Sequence, residues 1–231
     1  AAVAASHALG RRVVAHATER EVARRMLDAG VDVLAHSIFD QPVDGPLLQR
    51  LVHQGVLYVT TLGVAEGYQE VAARDVRLSA FERRFGDPFA VASLTDLQRR
   101  FPRARPPAAS DDVRVAQANL GRVHAAGVAV AAGSDAGNIA TLHGPALHHE
   151  LELMVAAGLA PAAVLRAASY GGARVLGMER ELGTLEPGKL ADLVVLDADP
   201  LADIRNTRRI VWVIRGGDVY SPLAIERWLA Q

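Results

Sequence analysis

The chain has 231 residues, half of them hydrophobic and 22% charged, which is room for one large domain, or a domain with an appendage, around a substantial core. Its formal net charge of -1 excludes a partner selected by bulk charge, nucleic acid above all. The absence of cysteine removes disulfides, thiolate nucleophiles and cysteine-type zinc sites together.

No apolar run approaches the roughly 20 residues of a membrane-spanning helix, so no membrane partner is expected. The first ten residues carry neither an initiating Met nor the charged start of a signal peptide. The expectation is a cytoplasmic protein whose true N-terminus is missing. Those ten residues read as the end of an alanine-rich helix closed by Gly10. Arg12 to His16 then reads as a strand. Thr18 and Glu21 have capping-box spacing, and Val22, Met26 and Leu27 carry an amphipathic helix to Gly30. Val31 to His36 is a second strand. A polar loop with Pro42 and Gly45 leads to a short helix over 46–54, stopped by Gly55, and Val56 to Thr61 is a third strand rich in β-formers.

From Leu62 to Ser110 the periodicity breaks. Tyr68, Phe81, Phe85, Phe89 and Phe101 are scattered among arginines and Pro102, Pro106 and Pro107. A structureless connection of that length is uncommon in a compact domain, so short helices forming a lid or wall are expected, with Tyr68 placed to face a substrate. Regularity resumes with a helix from about Asp111, capped by Ser110 and ended by Gly127. The strand Val128 to Ala132 runs into Gly133-Ser134-Asp135-Ala136-Gly137, and helices follow over 145–157 and from Pro161 to just before Gly177. Four strand–helix units in succession imply an α/β fold with a parallel sheet. The tail changes character: a turn-rich stretch from Gly183 to Lys189, then short strands at Ala191 to Leu196 and Arg209 to Arg215. The chain therefore divides into 1–180, interrupted by an inserted loop at 62–110, and a small β appendage at 181–231. A closed (β/α)₈ barrel needs eight strands and on the order of 250 residues. Four strands leave an open doubly wound sheet or the second half of a barrel.

Of the eight histidines, His7, His53 and His124 lie in the last turns of predicted helices, where the dipole favours an imidazolium. His148 and His149 sit mid-helix beside Glu150 and Glu152, with at least one expected to face solvent. His16 and His36 differ, since each ends a strand, at the rim where an α/β fold gathers its chemistry, and neutral imidazole is a common metal ligand. Asp135 follows the fourth strand, among glycines that permit close backbone approach. As an N-cap it would precede a helix directly, yet the next helix starts near Pro145. His143, just before that start, could reach a ligand at the rim. Competing motifs fail. There is no G-x-S-x-G elbow, no G-x-G-x-x-G after a strand and no Walker A sequence.

Val14-Ala-His16 before Thr18-Glu19, Val33-Leu-Ala-His36-Ser37, Gly133-Ser-Asp135-Ala-Gly137 and Leu142-His143-Gly144 resemble the later motifs of the metal-dependent amidohydrolase superfamily. Leu151-Glu-Leu-Met154, Ala157-Gly158-Leu159 and Gly183 to Leu196 are similar to the C-terminal signature of its imidazolonepropionase-like and prolidase-like branch. The likeness spans the chain apart from 62–110.

That resemblance implies the C-terminal half of a TIM (β/α)₈ barrel, strands five to eight, followed by the C-terminal strands of a small β-sandwich. It implies metal ligation by His16, His36 and Asp135, with Asp135 also moving a proton from metal-bound water to the leaving nitrogen. Substrate contacts are expected from His143 and Tyr68. The implied cofactor is a divalent metal, zinc first, with one or two ions in the intact protein. The implied substrate is a small cyclic amide or a dipeptide-like molecule, and a homo-oligomer is the expected assembly. The family's His-x-His pair on its first strand and the lysine on its fourth have no counterpart here. Two rivals follow: a non-catalytic scaffold or binding domain, and a deaminase on the same fold.

Overall fold

The computed structural model describes residues 1–100 and 111–229. Strands β1 (Val14–His16), β2 (Val33–Ala35), β3 (Leu57–Val59) and β4 (Val130–Ala131) form one parallel sheet in chain order. Helix α1 (Ala2–Ala8) precedes β1, while α2 (Arg20–Ala29) and α3 (Gly45–His53) follow β1 and β2. Between β3 and β4 come α4 (Leu62–Ala73), α5 (Ala80–Phe85), α6 (Pro88–Arg100) and α7 (Asp112–Ala125). After β4 come α8 (Pro145–Ala156), α9 (Pro161–Arg166) and α10 (Gly172–Leu176), the last two joined through a π-helical turn at Ala167–Gly171.

The strands are shorter than their apolar runs, and the reason is local. The first residue of the run closes the preceding helix instead of pairing across the sheet: Val31 N–H donates to Met26 O, Val56 N–H to Leu51 O and Val128 N–H to Val123 O. In the first run, Val13 N–H is taken by Asp32 Oδ2 at 2.7 Å. Helix closure and strand entry thus compete for the same amides, and closure wins at each αβ junction.

Two apolar clusters hold the layers together. One packs α2 and α3 on the sheet through Leu27, Leu34, Ile38, Leu47, Leu51, Val56 and Tyr58. The other joins α4, α7, α8 and α9 through Leu62, Leu120, Leu151, Met154 and Val164. Tyr58 is wholly buried, its hydroxyl accepts the Ile38 N–H at 2.7 Å, and burial pushes its pKa up to about 12.

Several expectations are corrected. β1 covers only three residues of the Arg12–His16 run, and of these Val14 and His16 are exposed and only Ala15 is buried. The capping box at Thr18 does not form. Helix α2 begins after Glu19, without a side-chain cap, and the Arg20 N–H donates to Asp40 Oδ1 at 2.9 Å. A carboxylate from the loop after β2 thus replaces the local cap. The 62–110 stretch holds a twelve-residue helix, α4, where only short ones were expected. Helix α7 starts after Asp111, while Ser110, Phe101, Pro102, Pro106 and Pro107 lie outside the described residues.

In the tail, β5 (Leu193–Leu196), β6 (Ile210–Arg215) and β7 (Asp218–Tyr220) form an antiparallel sheet in chain order. A 3₁₀ turn at Ile204–Arg208 packs against α8. Helix α11 (Pro222–Leu229) was not expected. Ser221 Oγ accepts the Ala224 N–H at 3.2 Å, so Ser221-Pro222 is a start signal of the usual kind. Among the described residues no helix is long and apolar enough to cross a membrane.

Neither His148 nor His149 faces open solvent; both are half-buried. His149 Nε2 pairs with Glu66 of α4, and this partner raises its pKa. His148 Nδ1 meets Thr207 Oγ1 at 3.0 Å, and its ring sits 5.0 Å from that of Phe81. Burial first, then Arg208, lowers its pKa from 6.5 to about 4. Between those values the unfolded chain binds a proton that the folded chain refuses, so stability falls as pH drops through this window. The depression is equivalent to at most about 3 kcal/mol. Denaturant titrations at pH 7 and pH 4.5 should show the loss, and His148→Leu should reduce it. An equal loss in the variant would remove His148 as its source.

Candidate active site

His16 is the last residue of β1, His36 follows β2 directly, and Asp135 follows β4 after a short glycine turn. Because β1, β2 and β4 belong to one parallel sheet, with β3 between β2 and β4, their C-terminal ends open on one side of it. All three side chains line one cavity of about 460 Å³, with Thr18, Phe39, Thr61, Val64, Tyr68, Asp112 and Asn138 among its other walls. The His16 and His36 rings meet edge to face with centroids 4.6 Å apart.

The backbone at two of these positions is strained. His36 has φ of 78° and Asp135 of 49°, each in the left-handed region that costs an L residue about 1–2 kcal/mol. Strain of this kind persists where surroundings over-determine it, and it concentrates at functional sites. Around His36 the surroundings are identifiable. Tyr58 holds the Ile38 amide, and buried Asn119 of α7 donates to Ile38 O at 2.9 Å and Gln41 O at 2.8 Å while accepting from Val43 N–H at 2.8 Å. Around Asp135, Thr141 Oγ1 donates to Asp135 O at 3.0 Å, and Gly137 turns at φ of 96°. A side chain at Gly133 would force a shift, since a Cβ there would stand 2.7 Å from Val59 Cγ1 and 3.0 Å from Thr60 O.

Two side chains aim the reactive groups. His36 Nδ1 lies 3.0 Å from Thr61 Oγ1, which leaves Nε2 as the free nitrogen. Burial lowers the pKa of His36; Asp135 opposes this and His16 assists it. The imidazole is therefore held neutral, the form that binds metals. Asn138 Nδ2 donates to Asp135 Oδ2 at 2.9 Å, while its Oδ1 accepts from the Tyr68 hydroxyl at 3.2 Å. Tyr68, Asn138 and Asp135 thus form one chain of hydrogen bonds.

The remaining candidates fall elsewhere. His143 is exposed and its ring lies beside Gly137, outside the cavity lining. His7 pairs with Asp32 at 2.9 Å, and His53 and His124 face outward at helix ends. Thr61, Asn138 and Asp112 were missed. Thr61 ends the third strand run and could have been found by the same strand-end logic. Asn138 had only its place in a glycine loop to mark it.

The donor types suit a divalent metal: two imidazoles side by side, one held neutral, and a carboxylate on the same cavity. Among the described residues, however, no group of three or more His, Asp or Glu side chains closes on one point. The pair fits as part of a ligand set.

Residues 1–219 match the sequence profile of the Amidohydrolase family. The structure superposes on a Xaa-Pro dipeptidase with bound methionine in its active site, with a TM-score of 0.72 and 24% identity over 95% of this chain and 47% of that one. A protein assigned as a prolidase, from Bifidobacterium longum, gives a TM-score of 0.64 at 28% identity, covering 97% of this chain and 53% of that one. The chain thus spans about half the length of the solved structures it matches. A 5-methylthioadenosine/S-adenosylhomocysteine deaminase from Symbiobacterium thermophilum is 62% identical over 32 residues, 14% of this chain and 7% of that protein.

Proposed function

Because the chain belongs to the amidohydrolase family, we propose that it is a metal-dependent hydrolase of carbon–nitrogen bonds that cleaves an amide, cyclic or dipeptide-like, in a small molecule. One observation carries the reading: His16, His36 and Asp135, at three ends of one parallel sheet, line a single cavity. On this reading β1 to β4 are strands five to eight of a (β/α)₈ barrel, and β5 to β7 belong to a β-sandwich. Pairing in strict chain order, with no reversal, supports a barrel arc over a doubly wound sheet, whose strand order reverses at a switch point.

His16 and the free Nε2 of His36 are the nitrogens that would hold a divalent ion, zinc by ligand preference. When bound, such an ion supplies Lewis acidity for the scissile carbonyl and acidifies the attacking water. Asp135 then takes the proton of that water and returns it to the leaving nitrogen, a general base and acid in succession. Asn138 holds one Asp135 oxygen by a hydrogen bond and leaves the other free for that proton.

A second reading is favoured by the local likeness to a deaminase. The same residues would serve attack on a ring carbon, with ammonia as the leaving group. The purified protein separates these readings when its metal is measured and it is offered N-acyl amino acids, dipeptides, cyclic amides and adenine nucleosides. Amide cleavage with bound zinc that His16→Ala or His36→Ala removes is the expected result. Ammonia release from nucleosides without amide cleavage establishes the deaminase instead. Neither metal nor turnover would leave a non-catalytic scaffold.

A further inference from the structure

The cavity is asymmetric in charge. Among its described lining residues there is no Lys or Arg; the fixed charges belong to two carboxylates, Asp135 and Asp112. Asp135 is engaged by Asn138. Asp112 is half-buried in the first turn of α7, and its carboxylate makes no hydrogen bond or ion pair with any described residue. The neighbouring cation on that helix, Arg114, is taken by Asp111 at 2.6 Å. The apolar part of the same lining is formed by Phe39, Val64, Ala65, Ala72 and Ala116.

Resting on the amide-hydrolase reading above, we propose that Asp112 selects the substrate, which carries a guanidinium or ammonium group at the end of an apolar stem. The stem runs along Phe39, Val64 and Ala116, the cation faces Asp112, and the scissile bond lies at His16, His36 and Asp135. The physical argument is one of field. A partly desolvated carboxylate attracts a cation more strongly than it would in water, because the walls exclude screening solvent. With a divalent ion offsetting Asp135 at the other end, a substrate ending in a carboxylate would meet at Asp112 a like charge with no described cation in the lining beside it. A first-turn carboxylate also complements the helix dipole, but that role is satisfied without any ligand and makes no distinction between ligands of different charge.

The test uses three N-acetyl amides of one short amine, ending in guanidinium, in the neutral urea of the same shape, or in carboxylate. Their affinities are measured by calorimetry for the wild type, Asp112→Asn and Asp112→Glu. The guanidinium amide should bind the wild type at least about tenfold more tightly than the urea, a modest value for one partly buried ion pair. The carboxylate should bind most weakly. Asp112→Asn should equalise guanidinium and urea, and Asp112→Glu should keep the preference, which separates charge from any effect of the variant on folding. No binding of the guanidinium amide, equal affinities in the wild type, or a preference that survives Asp112→Asn overturns the assignment. Hydrolysis is scored separately. A charge preference without cleavage of any amide leaves the Asp112 assignment standing and removes the amide-hydrolase reading. Cleavage without a charge preference does the reverse.

Discussion

Asp135→Asn should lower turnover by about a thousandfold or more while leaving the protein folded. The magnitude follows from the role proposed for Asp135, since a positioned acid–base group contributes about 10²–10⁴ in rate. The variant is a clean one for reasons visible in the structure. Asn tolerates the left-handed backbone better than other non-glycine residues, so φ of 49° at this position does not become more costly. Its carbonyl oxygen can still accept the hydrogen bond that Asn138 now gives to Oδ2. The brace from Thr141 acts on the backbone oxygen and is untouched. What the amide cannot do is take up a proton. Asp135→Ala would confound this by combining a lost carboxylate with an unsupported positive φ. Thermal unfolding of the Asn variant should match the wild type, and the proposed ligands His16 and His36 should retain their ring contact. Hydrolysis at the wild-type rate would remove Asp135 from the chemistry, whatever its place in the cavity.

Why this residue was legible from sequence, and others not, comes down to the range of the interactions that place them. A strand end is a local event: an apolar run, then a residue that can ligate or titrate. His16, His36 and Asp135 each carry that signal, and parallel pairing in chain order carries the three ends to one rim. Helix stops were equally local, with Gly30 and Gly177 in the left-handed conformation at the ends of α2 and α10. The capping box at Thr18 misled because its competitor, Asp40, arrives from twenty residues away. Thr61 shares the strand-end signal, but its purpose depends on His36 Nδ1, which no spacing rule connects to it. Asp112 looks like any first-turn acid until the cavity is seen. His143 shows the converse. Its motif placed it near the rim, and its ring stands beside Gly137 without lining the cavity. Sequence periodicity reports which face of an element is buried; it does not report what stands opposite.

Glu150 is the extreme case of that limit, and its replacement should have the largest effect on stability. It is 1% exposed, on α8, and it caps a helix 88 positions earlier: Oε1 accepts the Leu62 N–H and Oε2 the Gly63 N–H, each at 2.9 Å. These are the first two amides of α4, which no intrahelical carbonyl can satisfy. Glu150→Leu fills the volume but leaves both amides without an acceptor, one of them on Leu62, which is itself fully buried. At about 1–3 kcal/mol for each stranded donor, the expected loss is about 3–5 kcal/mol, readable as a lower denaturant midpoint. Glu150→Gln keeps one acceptor but turns an N–H₂ towards the second amide, so its loss should be smaller. The pH dependence has a definite sign. Burial raises the Glu150 pKa above its ordinary 4.5, with the hydrogen bonds opposing it. Stability from this group is therefore complete below 4.5 and declines as pH rises through the folded value, so the gap between wild type and Glu150→Gln should narrow with increasing pH. The damage should also reach the cavity. Thr61 is the residue at which α4 begins, and it is the partner of His36. If the chain binds zinc as proposed, then under conditions where Glu150→Leu remains folded its zinc affinity should fall together with that of Thr61→Val, whereas Leu153→Ala, which cuts the same core, should lose stability alone. Zinc affinity unchanged in Glu150→Leu would confine Glu150 to a structural cap.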